Sequence, residues 1–175
     1  MRGKLLAAVV VLLAAAPVSI AASPAGASPA IESCSGTVST TYNPAATSTP
    51  QYSSVRITST HDNCLGSDTT LTSGLGSAGT YTSVSCAAPL GTGFREGVDW
   101  NNGNSSVLSW VVQSISNDLS GTVVTLKGVV LSGEFAGALI EETNTYLLAG
   151  VQACDSPQGM STLSGTTALF IQKTR

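Results

Sequence analysis

The 175-residue sequence contains little histidine, little charge and few aromatic residues. Histidine occurs once, charged residues make up 10% of the chain and aromatic residues 5%. Because an average soluble domain carries about 25% charged residues, the polar surface must be built mainly from Ser, Thr, Asn and Gly. The composition therefore predicts a β protein with a hydroxyl-rich surface.

The single histidine, His61, excludes most hydrolytic chemistry. Any Ser-His-Asp or Cys-His arrangement would have to use it, and the sequence holds no Gly-x-Ser-x-Gly nucleophile motif. A zinc site with several histidines is excluded by the same count. We interpret His61 as a solvated loop residue beside Cys64, and we predict a non-enzymatic protein with no catalytic residue, no metal ligand and no cofactor.

Acidic residues in the middle of the chain are candidates for the paired carboxylates of a hydrolase: Glu96, Asp99, Glu134, Glu141 and Glu142. Within one strand, Glu96 and Asp99 project from opposite faces, and so do the adjacent Glu141 and Glu142. Glu134 falls in a glycine-bounded turn. We interpret all five as solvated surface charge, and a carboxylate pair assembled from different strands is the alternative, an extracellular carboxylate-dependent hydrolase.

Basic residues are also scarce, with seven Lys and Arg against ten Asp and Glu and a net charge of −3. Removal of Arg2 and Lys4 with an export signal leaves a net charge of −5. Nucleic-acid binding requires clustered Lys and Arg, so we predict no nucleic-acid partner.

An apolar run at the N-terminus has the pattern of an export signal. Arg2 and Lys4 precede the run Leu5–Ala16, and Ala25–Ala27 supplies the small-x-small pattern of a signal peptidase site. A membrane-spanning helix needs about 20 apolar residues, more than this run contains. We predict that Met1–Ala27 is removed and that the protein is secreted, extracellular or associated with the cell envelope, with no membrane span after cleavage.

The mature chain alternates short β-branched runs with Gly, Pro, Asn and Asp, which predicts an all-β fold. Residues 28–33 are predicted to be a flexible N-terminus and residues 34–172 a single β domain. We predict an immunoglobulin-like β-sandwich of about 8–9 antiparallel strands stapled by two disulfides, with a small β-barrel as the alternative. The predicted strands are Gly36–Tyr42, Tyr52–Thr60, Thr69–Ser73, Thr80–Cys86, Gly93–Asn101, Asn104–Ser116, Thr122–Leu131, Ala138–Leu148 and Thr162–Gln172.

Four cysteines, Cys34, Cys64, Cys86 and Cys154, follow the export signal, and an even number in an oxidising compartment predicts two disulfides. We favour Cys64–Cys86 with Cys34–Cys154, because Cys64 and Cys86 flank two short strands that reverse near Gly74–Gly79. The competing pairing is Cys34–Cys64 with Cys86–Cys154, which a hairpin of the first two strands would allow.

A hairpin over residues 94–112 is the clearest local prediction, because Asn102-Gly103 suits a two-residue turn. This turn places Arg95 opposite Trp110, a cation–π pair. Phe94 and Val98 then form a core face with their predicted partners Val111 and Val107.

The strand Thr122–Leu131 carries Val124, Leu126 and Val130 on one face and Lys127 on the other. Since Val123, Val129 and Leu131 share the side of Lys127, we predict a central strand.

A glycan-binding surface would use exposed aromatic residues, of which the candidates are Trp100, Trp110, Tyr42, Tyr52, Tyr81 and Tyr146. We interpret each of them as a core or strand-pair residue. The face that carries Arg95 and Trp110 is the predicted contact with a partner, for which cell-wall glycan and an extracellular protein are the open classes.

Three sets of turn and strand motifs stand out in the mature chain: Cys34-Ser-Gly-Thr with Tyr42-x-Pro44, Val98-x-Trp100-x-x-Gly103 with Ser105-Ser106, and Ser132-Gly-Glu-Phe-Ala-Gly137. Together these motifs resemble those of small secreted actinobacterial proteins that carry no assigned activity. The resemblance implies an all-β extracytoplasmic domain with paired cysteines and brings no substrate. We predict a secreted, non-enzymatic binding module, with a secreted protease inhibitor or other protein-binding module as the second reading.

Overall fold

A computed structural model of the protein describes residues 31–118 and 121–173. Eight antiparallel strands close into a barrel in which each strand pairs with the next and β8 pairs with β1. The predicted signal peptide, and residues 28–30 of the predicted flexible N-terminus, lie outside the described residues. In those two described segments, no helix is long and apolar enough to cross a membrane.

The strands are long and their connections are short. One α-helix, α1 (Leu148–Gln152), and one 3-10 helix (Ala153–Asp155) join the last two strands. The strands are β1 (Ile31–Ala46), β2 (Gln51–Gly66), β3 (Gly74–Val84), β4 (Gly93–Trp100), β5 (Ser105–Asp118), β6 (Gly121–Gly133), β7 (Leu139–Leu147) and β8 (Met160–Gln172).

The all-β prediction is confirmed, but the predicted sandwich is wrong and the alternative, a barrel, is what forms. On β1, Thr37 pairs with Thr60 of β2 on one side and with Thr166 of β8 on the other. Strand alternation predicts one buried face per strand, and both a sandwich and a barrel satisfy that pattern. The pairing of the first strand with the last decides between them.

The predicted strand Thr69–Ser73 is wrong, because these residues form the loop before β3. The predicted reversal near Gly74–Gly79 is also wrong, since this segment is part of β3. Gly74 and Gly76 face the barrel interior, where a Cβ on Gly74 would lie 2.5 Å from the Trp100 ring and one on Gly76 would collide with Ser59 and Glu96. These glycines mark close approach inside a strand rather than a turn.

The β4–β5 hairpin forms, but its predicted register is wrong by one residue. The loop has three residues, Asn101–Gly103, because the Trp100 amide donates to the Asn104 carbonyl at 2.9 Å and Gly103 has a φ of +84°. Trp110 therefore pairs with Phe94, and Arg95 pairs with Ser109. A shift of one residue turns each side chain of β5 to the opposite face.

The two faces of the strands otherwise follow the predicted alternation. Val124, Leu126 and Val130 of β6 are buried in the barrel core, as predicted, and Lys127 is exposed. Val129 and Leu131 are on the outer surface and partly exposed. The apolar character of both faces of β6 thus reflects an uncovered outer face rather than burial on two sides.

The two predicted disulfides are confirmed, but the favoured pairing is wrong. The bonds are Cys34–Cys64 and Cys86–Cys154, which was the competing arrangement. Cys64 lies near the end of β2 and Cys86 just beyond the end of β3, so the 11 residues of β3 separate them. At about 3.3 Å per residue, β3 places these two cysteines at opposite ends of the barrel.

One disulfide therefore fastens each end of the barrel. Cys34–Cys64 joins the neighbouring strands β1 and β2. Cys86–Cys154 joins the β3–β4 connection to the β7–β8 connection, which lie half-way around the barrel from each other. The second bond thus crosses the barrel end where no strand pairing could hold the two connections together.

Candidate functional site

A group of polar side chains lies inside the barrel, and we call it the polar cluster. Its members are Ser59 and His61 on β2, Glu96 on β4, and Glu142 and Asn144 on β7. All five are buried, with exposed fractions of 0% for His61, 2% for Glu96 and 3% for Glu142. The barrel brings them together from three strands that are distant in the sequence.

His61 is buried in the barrel, so its interpretation as a solvated loop residue is wrong. Strand β2 continues to Gly66, and its odd-numbered residues from Ser53 to His61 point inward. The apolar pair Val55 and Ile57 sets this parity in the sequence. Extension of the same alternation by four residues is the signal that could have placed His61 in the interior.

The interpretation of Glu96 and Glu142 as surface charge is also wrong. The predicted divergence within each strand is confirmed, since Asp99 and Glu141 are exposed while Glu96 and Glu142 point inward. Barrel closure then brings the two inward carboxyl groups, one from β4 and one from β7, to the same place.

Glu96 is held by two hydrogen bonds. The Ser59 hydroxyl donates to Glu96 Oε1 at 2.6 Å, and the Trp110 indole Nε1–H donates to Glu96 Oε2 at 2.8 Å. Trp110 is 2% exposed, so its predicted cation–π pairing with Arg95 on the outer surface is wrong. The indole instead orients a buried carboxyl group.

His61 contacts the same serine but does not complete a catalytic triad. His61 Nε2 lies 3.2 Å from Ser59 Oγ and 4.0 Å from Glu96 Oε1, and its ring centroid is 6.0 Å from that of Trp100. A triad needs the carboxylate on the other imidazole nitrogen, whereas Nδ1 has no hydrogen-bond partner within residues 31–118 and 121–173. With both side chains buried, Ser59 is also closed to a substrate.

Glu142 has one side-chain partner at close range, Asn144, whose Nδ2 donates to Glu142 Oε1 at 2.9 Å. Within the described segments, Glu142 Oε2 and Asn144 Oδ1 accept no hydrogen bond. Buried polar atoms in native proteins are nearly always paired. The described interior therefore holds unpaired acceptor atoms on Glu142 and Asn144, together with unpaired hydroxyl groups on Thr167 and Tyr146.

Burial dominates the electrostatics of the polar cluster. It lowers the pKa of His61 to about 4, with Asp62 acting in the opposite direction. Burial and, as a smaller cause, the neighbouring Glu96 together raise the pKa of Glu142 to about 8. Burial also raises the pKa of Glu96, against the hydrogen bonds from Ser59 and Trp110. The side chains of the polar cluster are therefore uncharged or nearly so at neutral pH.

With no metal ion bound, the protein is expected to lose stability as the pH rises above 6.5. The folded pKa of Glu142, about 8, exceeds its ordinary value of 4.5, so its stabilising proton is lost as the pH rises through 8. His61 acts in the opposite direction between about 4 and its ordinary 6.5, and offsets this loss there. Above pH 6.5 only the carboxyl groups still change the free energy of unfolding. It falls by about 1.4 kcal/mol per pH unit for each proton that the folded protein holds and the unfolded chain does not.

Urea unfolding of the EDTA-treated protein at pH 6.5 and pH 8 measures this effect, and we expect a loss of about 2 kcal/mol in the free energy of unfolding. Burial raises the pKa of the nearby Tyr146 well above its usual range, so this phenol keeps its proton throughout. Glu142→Gln should flatten the dependence. Stability that rises between the two pH values would contradict the assignment of a protonated Glu142.

On the outer surface, Arg95 is exposed and stands apart from Trp110. The exposed aromatic feature is instead the tyrosine pair, Tyr52 on β2 and Tyr81 on β3. Their rings are stacked, with centroids 5.5 Å apart and planes inclined by 24°, and their exposed fractions are 63% and 71%. The two tyrosines are diagonal neighbours on adjacent strands, since Tyr52 pairs with Ser83 and Tyr81 with Ser54, and neither is a core residue.

Two of the hollows on the outer surface lie on different faces. The first, of about 300 Å³, is on β1–β3 and is lined by Thr37, Ser39, Thr58, Ser59, Thr60, Leu75 and Gly76. The second, of about 440 Å³, we call the apolar groove. It lies on β6–β8 and is lined by Lys127, Gly128, Leu139, Ile140, Glu141, Phe170 and Gln172.

Comparisons of the chain with protein-family models, with curated proteins and with solved structures found no match. The residues and geometry described above are therefore the basis for assigning a function.

Proposed function

We propose that this protein is an exported, non-enzymatic barrel that binds polysaccharide on the outer face of β1–β3. The observation that carries the proposal is the tyrosine pair, two large rings that are stacked on each other and exposed on the outer surface. An aromatic face packs against the apolar C–H face of a sugar ring, and the phenol hydroxyl hydrogen-bonds a sugar hydroxyl.

The surface beside the tyrosine pair supports a sugar ligand. Tyr52 and Thr58 have the same parity on β2 and are six residues apart, which corresponds to about 20 Å of strand. Between them, Arg56 supplies one charge on an otherwise hydroxylic stretch, and the hollow lined by Thr58 and Thr60 continues the face. A surface of this length and polarity suits an extended, largely uncharged chain of sugars.

The enclosed polar cluster supports a non-enzymatic role. Among the acidic residues that the sequence singled out, Glu96 and Glu142 are the pair that the fold brings close together, as a hydrolase would require. Both are buried inside the barrel. Barrel-filling side chains, including Trp110, Tyr146 and Leu126, occupy the interior. A polymeric substrate has no route to these carboxyl groups without opening the sheet.

Export is supported by the two disulfides, which persist in oxidising compartments, and by the predicted signal at Met1–Ala27. We also propose an actinobacterial source, because the turn motifs resemble those of small secreted actinobacterial proteins. The cell envelope of the producing organism is then the natural place for a polysaccharide ligand.

Removal of the tyrosine pair is expected to weaken glycan binding by about 30-fold, because two aromatic contacts contribute about 1 kcal/mol each. The measurement is co-sedimentation of the secreted protein with insoluble peptidoglycan, chitin and cellulose, for the wild type and for Tyr52→Ala/Tyr81→Ala. An exposed cross-strand pair contributes at most about 1 kcal/mol to folding, so the variant should fold.

Phe170→Ala is the matched control, because Phe170 is a half-exposed aromatic residue on β8, at the opposite end of the barrel from the tyrosine pair. It should leave glycan binding unchanged. Equal binding by the wild type and the double tyrosine variant, or no wild-type binding to any of the three glycans, would overturn the proposal.

A second candidate function is protein binding at the apolar groove. Leu139 and Phe170 are exposed apolar residues on adjacent strands, and Lys127 and Glu141 form an ion pair at 3.4 Å beside them. An apolar centre with a polar rim is the usual anatomy of a protein interface. In this case Phe170→Ala, and not the tyrosine variant, should abolish the partner interaction.

A further inference from the structure

We propose that the polar cluster is a binding site for one divalent transition-metal ion, with His61, Glu96 and Glu142 as its protein ligands. Each residue offers one ligand atom, and the three atoms lie within 4.8 Å of one another. They come from β2, β4 and β7, so the barrel itself assembles the set. This proposal is independent of the outer glycan-binding face.

The charge balance of the interior favours a cation. Every lysine and arginine in the part of the chain that the structure describes is exposed: Arg56, Arg95, Lys127 and Lys173. Two carboxyl groups are therefore enclosed with a neutral imidazole and no basic side chain. Buried carboxylates are unfavourable without a paired positive charge, and a divalent ion supplies two.

An unpaired carboxyl oxygen is a second observation that points to a ligand. Glu142 Oε2 has no hydrogen-bond partner among the described residues, although Glu142 is only 3% exposed. The adjacent Asn144 donates to the other oxygen, Glu142 Oε1. A metal ion bound by Glu142 Oε2 would supply the partner that buried polar atoms nearly always have.

The ligand set selects the class of metal. One imidazole nitrogen and two carboxylate oxygens suit Zn²⁺ and neighbouring first-row ions, whereas Ca²⁺ takes six to eight oxygen ligands. His61 Nε2 and Glu96 Oε1 are 4.0 Å apart. Because bonds of about 2.1 Å at a tetrahedral ion place its ligands about 3.4 Å apart, this pair needs to approach by about 0.6 Å, and no pair in the set, whose atoms lie within 4.8 Å of one another, by more than about 1.4 Å.

Neighbouring side chains would orient the ligands. Ser59 and Trp110 donate to Glu96, and Asn144 donates to Glu142, which leaves further lone pairs of both carboxylates for an ion. Gly76 belongs to the same arrangement, since a Cβ there would collide with Ser59 and Glu96. The glycine of β3 thus makes room for the carboxylate that faces it.

The burial of the site determines how it is loaded. Because His61, Glu96 and Glu142 are enclosed, the ion enters during folding or when the barrel opens, and binding is coupled to folding. The experiment therefore unfolds the disulfide-intact secreted protein in guanidinium with EDTA and refolds it with or without Zn²⁺. Metal content after gel filtration and the melting temperature are then measured.

We expect one Zn²⁺ per wild-type chain and a rise in melting temperature of about 8 °C at a hundredfold excess over the dissociation constant. Ca²⁺ should give no rise. Glu142→Gln keeps the shape of the side chain and should lose the bound ion, whereas Glu141→Gln, its exposed neighbour on β7, should retain it. Ser59→Ala should bind Zn²⁺ about 10–100-fold more weakly, as removal of an orienting hydrogen bond does.

Two outcomes would overturn the proposal. The first is a wild-type protein that retains no Zn²⁺ after refolding and melts at an unchanged temperature, in which case protons alone neutralise the cluster. The second is retention of equal metal by Glu142→Gln, which would place the ion elsewhere on the molecule. If Glu142→Gln does not fold, the wild-type stoichiometry and the Ser59→Ala affinity decide the question.

Discussion

Leu126→Asp is expected to abolish the folded secreted protein. Leu126 is fully buried on β6 and pairs directly with Glu142 of β7, so the substitution places a third carboxyl group beside two others in an interior without a basic side chain among the described residues. Loss of the leucine and burial of an unpaired charge together cost about 5 kcal/mol or more. Since whole domains are stable by only about 5–15 kcal/mol, little folded product should remain.

The measurement is secreted yield together with urea unfolding of whatever product accumulates. Lys127→Ala is the control on the same strand, because Lys127 is exposed and its ion pair with Glu141 is worth at most about 1 kcal/mol. Leu126→Asn separates the effect of charge from that of lost apolar volume. A Leu126→Asp protein within about 1 kcal/mol of the wild type would show that this residue does not face the core.

Removal of the Cys86–Cys154 bond is expected to lower the free energy of unfolding by about 4.4 kcal/mol, from the chain-entropy model for a loop of this length. The bond closes a sequence separation of 68 residues, against 30 for Cys34–Cys64. The same model gives about 3.6 kcal/mol for the shorter loop. Each bond thus supplies a large share of the stability of an ordinary domain.

Urea unfolding of Cys86→Ser/Cys154→Ser and of Cys34→Ser/Cys64→Ser tests this ranking. We also expect the larger effect for the first variant because no strand pairing joins the two connections that its disulfide links, whereas β1 and β2 pair along most of their length. The unaltered protein should show no free thiol toward a maleimide, since all four cysteines are paired. A larger loss from the Cys34–Cys64 variant would contradict the loop-length argument.

Local patterns predicted most of the strands but not their connections. Alternation at Val124 and Leu126 placed the core face of β6, and the Asn-Gly pair placed the β4–β5 turn. The length of that turn escaped prediction, because a three-residue loop with a left-handed Gly103 and a two-residue loop share the same residues. That one residue reversed the faces of β5 and moved Trp110 from the surface to the interior.

The polar cluster could not be predicted from the sequence, for a different reason. His61, Glu96 and Glu142 are separated by tens of residues in the sequence. Each of them, taken alone, is a polar residue of a type usually found on the surface. Parity along β2 could have placed His61 inside, since Val55 and Ile57 share its face. The meeting of Glu96 with Glu142 depends on strands β4 and β7, which do not pair with each other.

The sequence by itself determined the all-β class, the presence of all four cysteines in disulfides and the inward faces of β4 and β6. These properties depend on composition and on the two-residue period of a strand, which neighbouring residues specify. Only the tertiary structure decided the closed barrel, the cysteine partners, the register of β5 and the enclosure of two carboxyl groups with one imidazole. Each of these depends on which distant strands meet, and contacts between distant strands leave no local pattern in the chain.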